Sequence, residues 1–353
     1  MYFNNSEKFI KGKAVFCGID IHKHHWSLCY FCDQEVLEKT RVIGTVDALL
    51  AHTRHNYRSA GSIQFVYEAG FSGFHLYRSL KSAGFDCTVT APSRMPSYHD
   101  KVKTDKRDAE KLARFMASGL LKAVYVPPLR IEADRQFMRL RRSYQQKLST
   151  VKNQISSHLA LFGLRYTGGS KWTGKHLEWL ALLEFTDPML RTILDCYLET
   201  YAFLQDQVAS MTGRIRALSQ SADYQAHYDR LVSCKGIGLI TAMTLLLEAH
   251  DVSRFQSAQQ FASYLGLTPG QHSSGEHVRL GHITREGNSH IRHVLVECAW
   301  TVIRYDASLR AKYHRIKAKG SNGKKAIVAV ARTLAGRLHH CLLHEEPYQM
   351  ASC

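Results

Sequence analysis

The sequence predicts an α/β layered domain followed by a largely helical region. Three observations predict it. Short apolar runs alternate with amphipathic stretches up to residue 126. A Pro127-Pro128 pair then breaks the pattern. Beyond it, apolar residues recur at helical spacing through most of the chain.

Residues 14–31 carry an apolar run, a break and a second run at Trp26-Ser27-Leu28-Cys29-Tyr30-Phe31, the pattern of a β-hairpin. A helix is predicted over 45–57 and a buried strand over 63–67. The turn Ala69-Gly70-Phe71-Ser72-Gly73 leads into a helix at about 74–83. Cys87-Thr88-Val89-Thr90-Ala91 reads as a strand closed by Pro92, and Lys106–Ser118 as a helix with Leu112, Phe115 and Met116 on its apolar face. After Pro128, Leu148, Val151, Ile155, Leu159 and Phe162 recur at steps of three and four. A glycine-rich loop follows over 163–174. Tyr197, Tyr201, Leu204, Val208, Met211, Ile215 and Leu218 then alternate strictly between steps of four and three. Two such segments predict an antiparallel coiled-coil arm; a plain helical bundle is the alternative.

Leu231 to Met243 reads as a helix end, Gly236-Ile237-Gly238, and a new helix start, the helix-hairpin-helix pattern. Backbone N–H groups at such a turn can hold a phosphate oxygen, or the glycines serve only the turn. A polar stretch runs through Gly287, and a helix is predicted from Ser289 to about Tyr305. Residues 304–337 hold ten Lys and Arg and one acid, Asp306.

The 353 residues carry 47 Lys plus Arg against 30 acids, a net charge of +17. That balance points to a polyanionic partner. Nine Cys, scattered singly except for Cys29 and Cys32, do not form a disulfide framework and fit a reducing compartment. The Cys29/Cys32 pair lacks a second pair to complete a zinc site and reads as structural thiols. Met1 to Lys13 lacks a signal-peptide pattern, and no apolar run reaches the ~18–20 residues of a membrane span. A soluble, cytoplasmic chain is expected.

Within this basic chain, four acids occupy related positions. Asp20 ends the first apolar strand and Glu68 a later one. Asp105 and Asp108 stand three apart at the start of a helix, on one face. A ribonuclease H-like fold places acids on these element types in this order. It holds two Mg²⁺ ions about 4 Å apart for phosphodiester chemistry. The expected nucleic-acid contacts are Lys103, Lys106, Arg107, Lys235, Gly236, Gly238, Arg279, Arg285, Arg292, Lys324 and Lys325.

The motifs Gly18-Ile19-Asp20, Tyr67-Glu68-Ala69-Gly70, Lys103-Thr104-Asp105-Lys106-Arg107-Asp108-Ala109, Lys235-Gly236-Ile237-Gly238, Gly266-Leu267-Thr268-Pro269 and Ser274-Gly275 run in order along the chain. Together they resemble the DEDD transposases of insertion-sequence family 110/1111 and the related pilin-gene DNA invertases. The resemblance extends from about 14 to 340. It implies a RuvC-like domain over 1–128, a coiled-coil dimerisation arm over 129–228 and a transposase domain over 229–345. It further implies catalysis by Asp20, Glu68, Asp105 and Asp108 with Mg²⁺, or Mn²⁺ in its place, and by Ser274 as nucleophile, through a covalent 5′-phosphoserine link. The implied partners are double-stranded DNA at element ends and target, a guide (bridge) RNA, and further copies of the chain in a dimer or tetramer. The implied location is the bacterial cytosol or nucleoid. One departure is Arg285, where the family more often has Lys. The competing readings are a metal-only nuclease in which Ser274 is structural, a DNA invertase, and a non-catalytic DNA-binding protein.

Overall fold

The computed structural model describes residues 8–92, 105–274, 277–320 and 322–350, with the side chains of 105, 106, 271–274 and 277–280 outside the description. The chain divides into two compact units, Met1–Pro127 and Pro128–Cys353.

The first unit is a mixed α/β structure. Its strands are β1 (Ala14–Ile21), β2 (His25–Cys32), β3 (Glu35–Ile43), β4 (Ser62–Glu68) and β5 (Asp86–Thr90), ordered β3-β2-β1-β4-β5. The first three form an antiparallel meander; β4 runs parallel to β1, and β5 to β4. The expected hairpin, strands and helices form. Strand β3 is an addition. Its charged residues and edge position hide it from an apolar-run reading, and its entry turn uses Asp33 and Gln34, both at positive φ (46° and 70°).

Side-chain alternation gives the sheet two faces. Cys17, Ile19, Leu28, Tyr30, Phe65, Tyr67 and Val89 pack with Leu49 of α1 (Val46–Asn56) and with Leu76 and Leu80 of α2 (His75–Ser82). Thr45 caps α1 by accepting from Ala48 N. The opposite face meets α3 (Asp105–Ala117). There the expected apolar face needs correction. Ala109, Leu112 and Ala113 are buried, whereas Phe115 and Met116 are only half-buried. The reason is proximity: a Cβ built on Gly18 would lie 2.0 Å from the Ala109 carbonyl oxygen and 2.7 Å from Ala113 N. Only small residues fit where helix and strand backbones touch. Cys29 and Cys32, both buried, fall on opposite faces of β2, as structural thiols would.

The second unit is mostly helical. Helices α4 (Leu129–Leu161) and α6 (Pro188–Ser219) pack antiparallel. Arg141 Nε donates to Thr212 Oγ1 at 2.8 Å, while His158 Nε2 lies 3.2 Å from the Leu190 carbonyl. Leu148, Val151, Ile155 and Leu159 meet Leu194, Tyr201, Leu204 and Val208. Most positions of both repeats are thus buried, but Phe162 lies past the helix end and is exposed. A short helix, α5 (Gly174–Ala181), buries Leu180 at this end and was not foreseen.

The rest comprises α7 (Gln225–Val232), α8 (Leu239–Ala249), α9 (Ala258–Tyr264), strands β6 (Pro269–Ser274) and β7 (His277–Ile283), α10 (Ser289–Val302), α11 (Ala307–Ala318) and α12 (Gly323–Leu343). The polar stretch before Gly287 is an antiparallel hairpin, pairing His272 with Arg279 and Ser274 with His277. It has too few apolar residues for alternation to reveal it.

A buried charge, Glu248, sits on α8 with 1% of its side chain exposed. Arg139 grips both its oxygens at 2.7 and 2.8 Å, and the Asn288 amide donates to it at 2.7 Å. Burial pushes this carboxyl up, but the hydrogen bonds and charge of Arg139, with Asn288 and Arg135, outweigh burial and hold it below the usual carboxylate range. Asn288 also caps α10, accepting from His290 N and Ile291 N.

Two stability predictions follow from these contacts. Gly18→Val should cost at least about 2 kcal/mol, since neither backbone can yield cheaply; a urea-unfolding midpoint equal to wild type would contradict the close contact. Glu248→Gln should cost about 2–4 kcal/mol, less than a fully buried pair because Arg139 is partly exposed. The Glu248 contribution is fully present above the ordinary carboxylate range and lost as pH falls through the lowered folded value. Urea midpoints of Glu248→Gln should therefore fall less on acidification than those of wild type.

Candidate functional site

Asp20 and Glu68 arrive together because β1 and β4 are parallel neighbours. Gly18 pairs with Val66 and Ile19 with Tyr67, so the next residues of the two strands are the two acids. Both lie at the carboxyl ends of their strands. By alternation both share a face with Gly18, which is the face covered by α3. Asp108 immediately precedes Ala109, the residue whose carbonyl meets Gly18. Its carboxylate is half-buried, with Lys111 Nζ at 3.8 Å. Three of the expected acids therefore come from two adjacent strand ends and the one helix that crosses them. Asp105 opens that helix one turn earlier, and its side chain lies outside the described residues, as does that of Lys106. Lys103 lies outside altogether, and Arg107 is exposed.

Asp20 has two neighbours in the structure: His22, which the sequence places after it without metal-ligand spacing, and Ser27, which the sequence does not mark. His22 Nε2 sits 3.0 Å from Asp20 Oδ2, an ion pair when the imidazole is protonated. Ser27 is the cross-strand partner of Asp20. Its hydroxyl is buried and has no hydrogen-bond partner among the described residues, and cross-strand partners stand about 5 Å apart at Cβ. The signal for Ser27 lay in the hairpin register, which sets residue 20 opposite 27, whereas His22 is a local contact two residues on.

An orphaned hydroxyl beside half-buried carboxylates is a setting that an ion with bound water would complete. An all-oxygen donor set also suits a hard cation such as Mg²⁺, which takes few protein carboxylates and keeps several waters. Among the described residues, no group of three or more His, Cys, Asp or Glu is close enough to hold a metal ion by itself.

Ser274 is the last residue of β6, opposite His277 at the end of the hairpin, with its side chain outside the description; Gly275 lies outside the described residues. The hairpin's base is tightly built. Gly266 has φ +65°, and a Cβ there would meet Arg292 Nη1 at 2.6 Å; one on Gly287 would meet the Tyr264 carbonyl at 2.3 Å. Arg292 donates to the carbonyls of Leu265 (2.9 Å) and Arg285 (3.3 Å), so its guanidinium ties the two sides of this base together. Arg285 is exposed at φ +56°, and the Arg279 side chain is outside the description.

The Gly236-Ile237-Gly238 turn joins α7 to α8. Gly236 (φ +110°) packs against Val302, and Gly238 is the N-cap of α8 without a side-chain cap. Lys235 is exposed, its ammonium 5.9 Å from the centre of the Tyr305 ring. In the basic run, Lys324 and Lys325 are exposed at the start of α12. Arg337 instead pairs with the buried Asp306 at 2.8 Å, which also accepts from Tyr348 Oη at 2.8 Å and caps α11 through Leu309 N. One cation of that run thus serves the fold. No helix among the described residues is long and apolar enough to cross a membrane.

Comparison with known proteins matches this layout. Residues 17–163 match the DEDD transposase family profile of IS110 type, and residues 228–314 match the profile described as "Transposase IS116/IS110/IS902 family". The chain is 33% identical to "Putative transposase y4qE" of Sinorhizobium fredii, over 92% of this chain and 87% of that protein. It is 27% identical to the transposase for insertion sequence element IS1533 of Leptospira borgpetersenii, over 95% and 97%. With the transposase for IS1111A of Coxiella burnetii it shares 23% identity over 94% and 90%. The acids at the strand ends and on α3 fall within the first matched region and the hairpin bearing Ser274 within the second, and the chain belongs to the IS110/IS1111 family of insertion-sequence transposases.

Proposed function

We propose that this transposase cuts and rejoins DNA through Ser274, assisted by Mg²⁺ held at Asp20, Glu68, Asp105 and Asp108. The observation that carries the reading is the placement of Asp20 and Glu68 on adjacent strand ends of the sheet face that α3 covers, with Asp108 on that helix next to its contact with Gly18. The strand order β3-β2-β1-β4-β5, with acids on β1, on β4 and on the helix after β5, supports a ribonuclease H-like (RuvC-like) domain. When bound, Mg²⁺ or Mn²⁺ would offset charge on the phosphate and the departing oxygen.

The remaining chemistry belongs to the chain's own groups. Asp20 is oriented by His22, and the Ser27 hydroxyl, opposite Asp20, would be available to water that a bound ion carries. Ser274 Oγ gives its proton to a base and bonds to phosphorus, while the bond from phosphorus to the 3′ oxygen breaks. The 3′ oxygen takes up a proton and leaves as a hydroxyl, with the 5′ phosphate on Ser274. Attack by the 3′ hydroxyl of the exchanged strand reverses the step, restoring a diester and the free serine. One diester replaces another at each stage, so no external energy source is needed.

The exposed Arg107, Lys235, Lys324 and Lys325 support DNA contact, and the net charge of +17 suits a structured guide RNA equally well. The antiparallel pair α4 and α6 supports the coiled-coil arm. The apolar side chains exposed near its far end, Leu161, Phe162, Leu182 and Met189, support its use in forming a dimer or tetramer.

Covalent trapping tests the reading. The protein is incubated with Mg²⁺, cognate RNA and labelled element-end DNA, then denatured and resolved by gel. A protein–DNA adduct is expected from wild type, reduced about 10³-fold or more in Ser274→Ala and in Asp108→Ala. Cleavage without an adduct, unaffected by Ser274→Ala, would leave a metal-only nuclease and sink the serine mechanism.

A further inference from the structure

A cleft of about 580 Å³ opens in the second unit along α4, beside α8 and the start of α10. Its charge is unbalanced. Among the described residues lining it, the one carboxylate is Glu248, already committed to Arg139, Arg135 and Asn288. Arg141 and Arg142 project from the same turn of α4, both half-buried. Arg141 donates Nε to Thr212, and Arg142 donates one terminal nitrogen to His290 Nδ1 at 2.9 Å. A guanidinium only donates, so that contact makes His290 Nδ1 an acceptor and its ring neutral. Burial pushes both the Arg141 guanidinium and the His290 imidazole down. Two half-buried guanidiniums therefore face a cleft whose only carboxylate is already spoken for.

The shape says which anion fits. Polar side chains recur along α4 at each turn: Arg141 and Arg142, then Gln145 and Gln146, then Ser149 and Thr150. Successive turns stand ~5.4 Å apart. The Ser149 and Thr150 hydroxyls rest on carbonyls one turn back and need only rotate to face outward. A single small anion would use one turn of this ladder, whereas an extended polyanion uses all three.

We infer that this cleft grips the phosphodiester backbone of a nucleic-acid strand, with Arg141 and Arg142 as its principal phosphate contacts. The inference rests on the chain's action on nucleic acid but not on Ser274 or the metal. DNA and RNA present the same phosphates, so the test carries both.

Full-length protein is titrated without divalent cation, which prevents cutting, against a labelled element-end duplex and a labelled single-stranded RNA. Fluorescence anisotropy is followed over a range of salt. Arg141→Gln/Arg142→Gln should weaken binding roughly tenfold near 0.1 M salt. It should also make the salt slope shallower by about 1.8 for duplex or about 1.4 for single strand, two contacts at ~0.9 or ~0.7 each. Ser149→Glu removes no packing and should weaken binding through charge alone, so it decides the matter if the double variant does not fold. Loss confined to the duplex identifies DNA as the occupant, loss confined to the RNA identifies RNA, and equal loss marks a shared backbone site. Unchanged affinity and slope in both arms, from variants that melt like wild type, would overturn the inference. A missing covalent adduct in the trapping experiment would not alter these slopes, so the two readings fail separately.

Discussion

The acid-bearing end of the first unit depends on one close contact, that of α3 against β1 at Gly18. The Ala109 carbonyl stands where any side chain at Gly18 would begin. A helix held at that distance cannot slide or roll without a backbone clash, so the position of Asp108 follows from that of Asp20. The strand pair supplies the other constraint: hydrogen-bonded register puts Glu68 beside Asp20 with no freedom of its own. Van der Waals exclusion on one side and a hydrogen-bond ladder on the other thus position three carboxylates.

The second unit solves a comparable problem with charge. Glu248 would be costly in a helical core if it stood alone. Two arginines of α4, the Asn288 amide and the tight base of the β6–β7 hairpin surround it instead. Asn288 has a double task, giving its amide to Glu248 and its carbonyl to the first turn of α10. Its own N–H donates to the Tyr264 carbonyl, the atom that excludes any side chain from Gly287. The hairpin ending in Ser274 is therefore anchored at its base by the same group of residues that neutralises the buried acid.

Much of this was legible in the sequence, and the limits have physical causes. The buried parallel strands announced themselves as apolar runs ending in acids, and the α4 and α6 repeats as steps of three and four. The edge strand β3 did not, because one side of it meets solvent and carries charge. The β6–β7 hairpin was hidden for a related reason: its ladder is backbone, and its side chains are mostly polar. The α3 face was misjudged by favouring large residues, since close packing selects small ones. In the site, acids could be found because their element types recur in order. Ser27 could not, because its relation to Asp20 is one of cross-strand register. Arg139 and Glu248 are over a hundred positions apart, and only folding pairs them.

The distribution of charge carries the last step. A net charge of +17 is a property of the whole chain and says little about where an anion would bind. The fold sorts the cations. Arg139, Arg292 and Arg337 are committed to Glu248, to backbone carbonyls and to Asp306, and their charge or hydrogen bonds are spent within the protein. Lys324 and Lys325 stand in water, where counterions screen them and each adds little alone. Arg141 and Arg142 differ from both groups. They are half-buried, hence weakly screened, and they line a cleft whose one carboxylate among the described residues is committed to Arg139. Interaction energy per charge rises as the surrounding dielectric falls. A few cations held in a cleft can therefore outweigh many on an open surface.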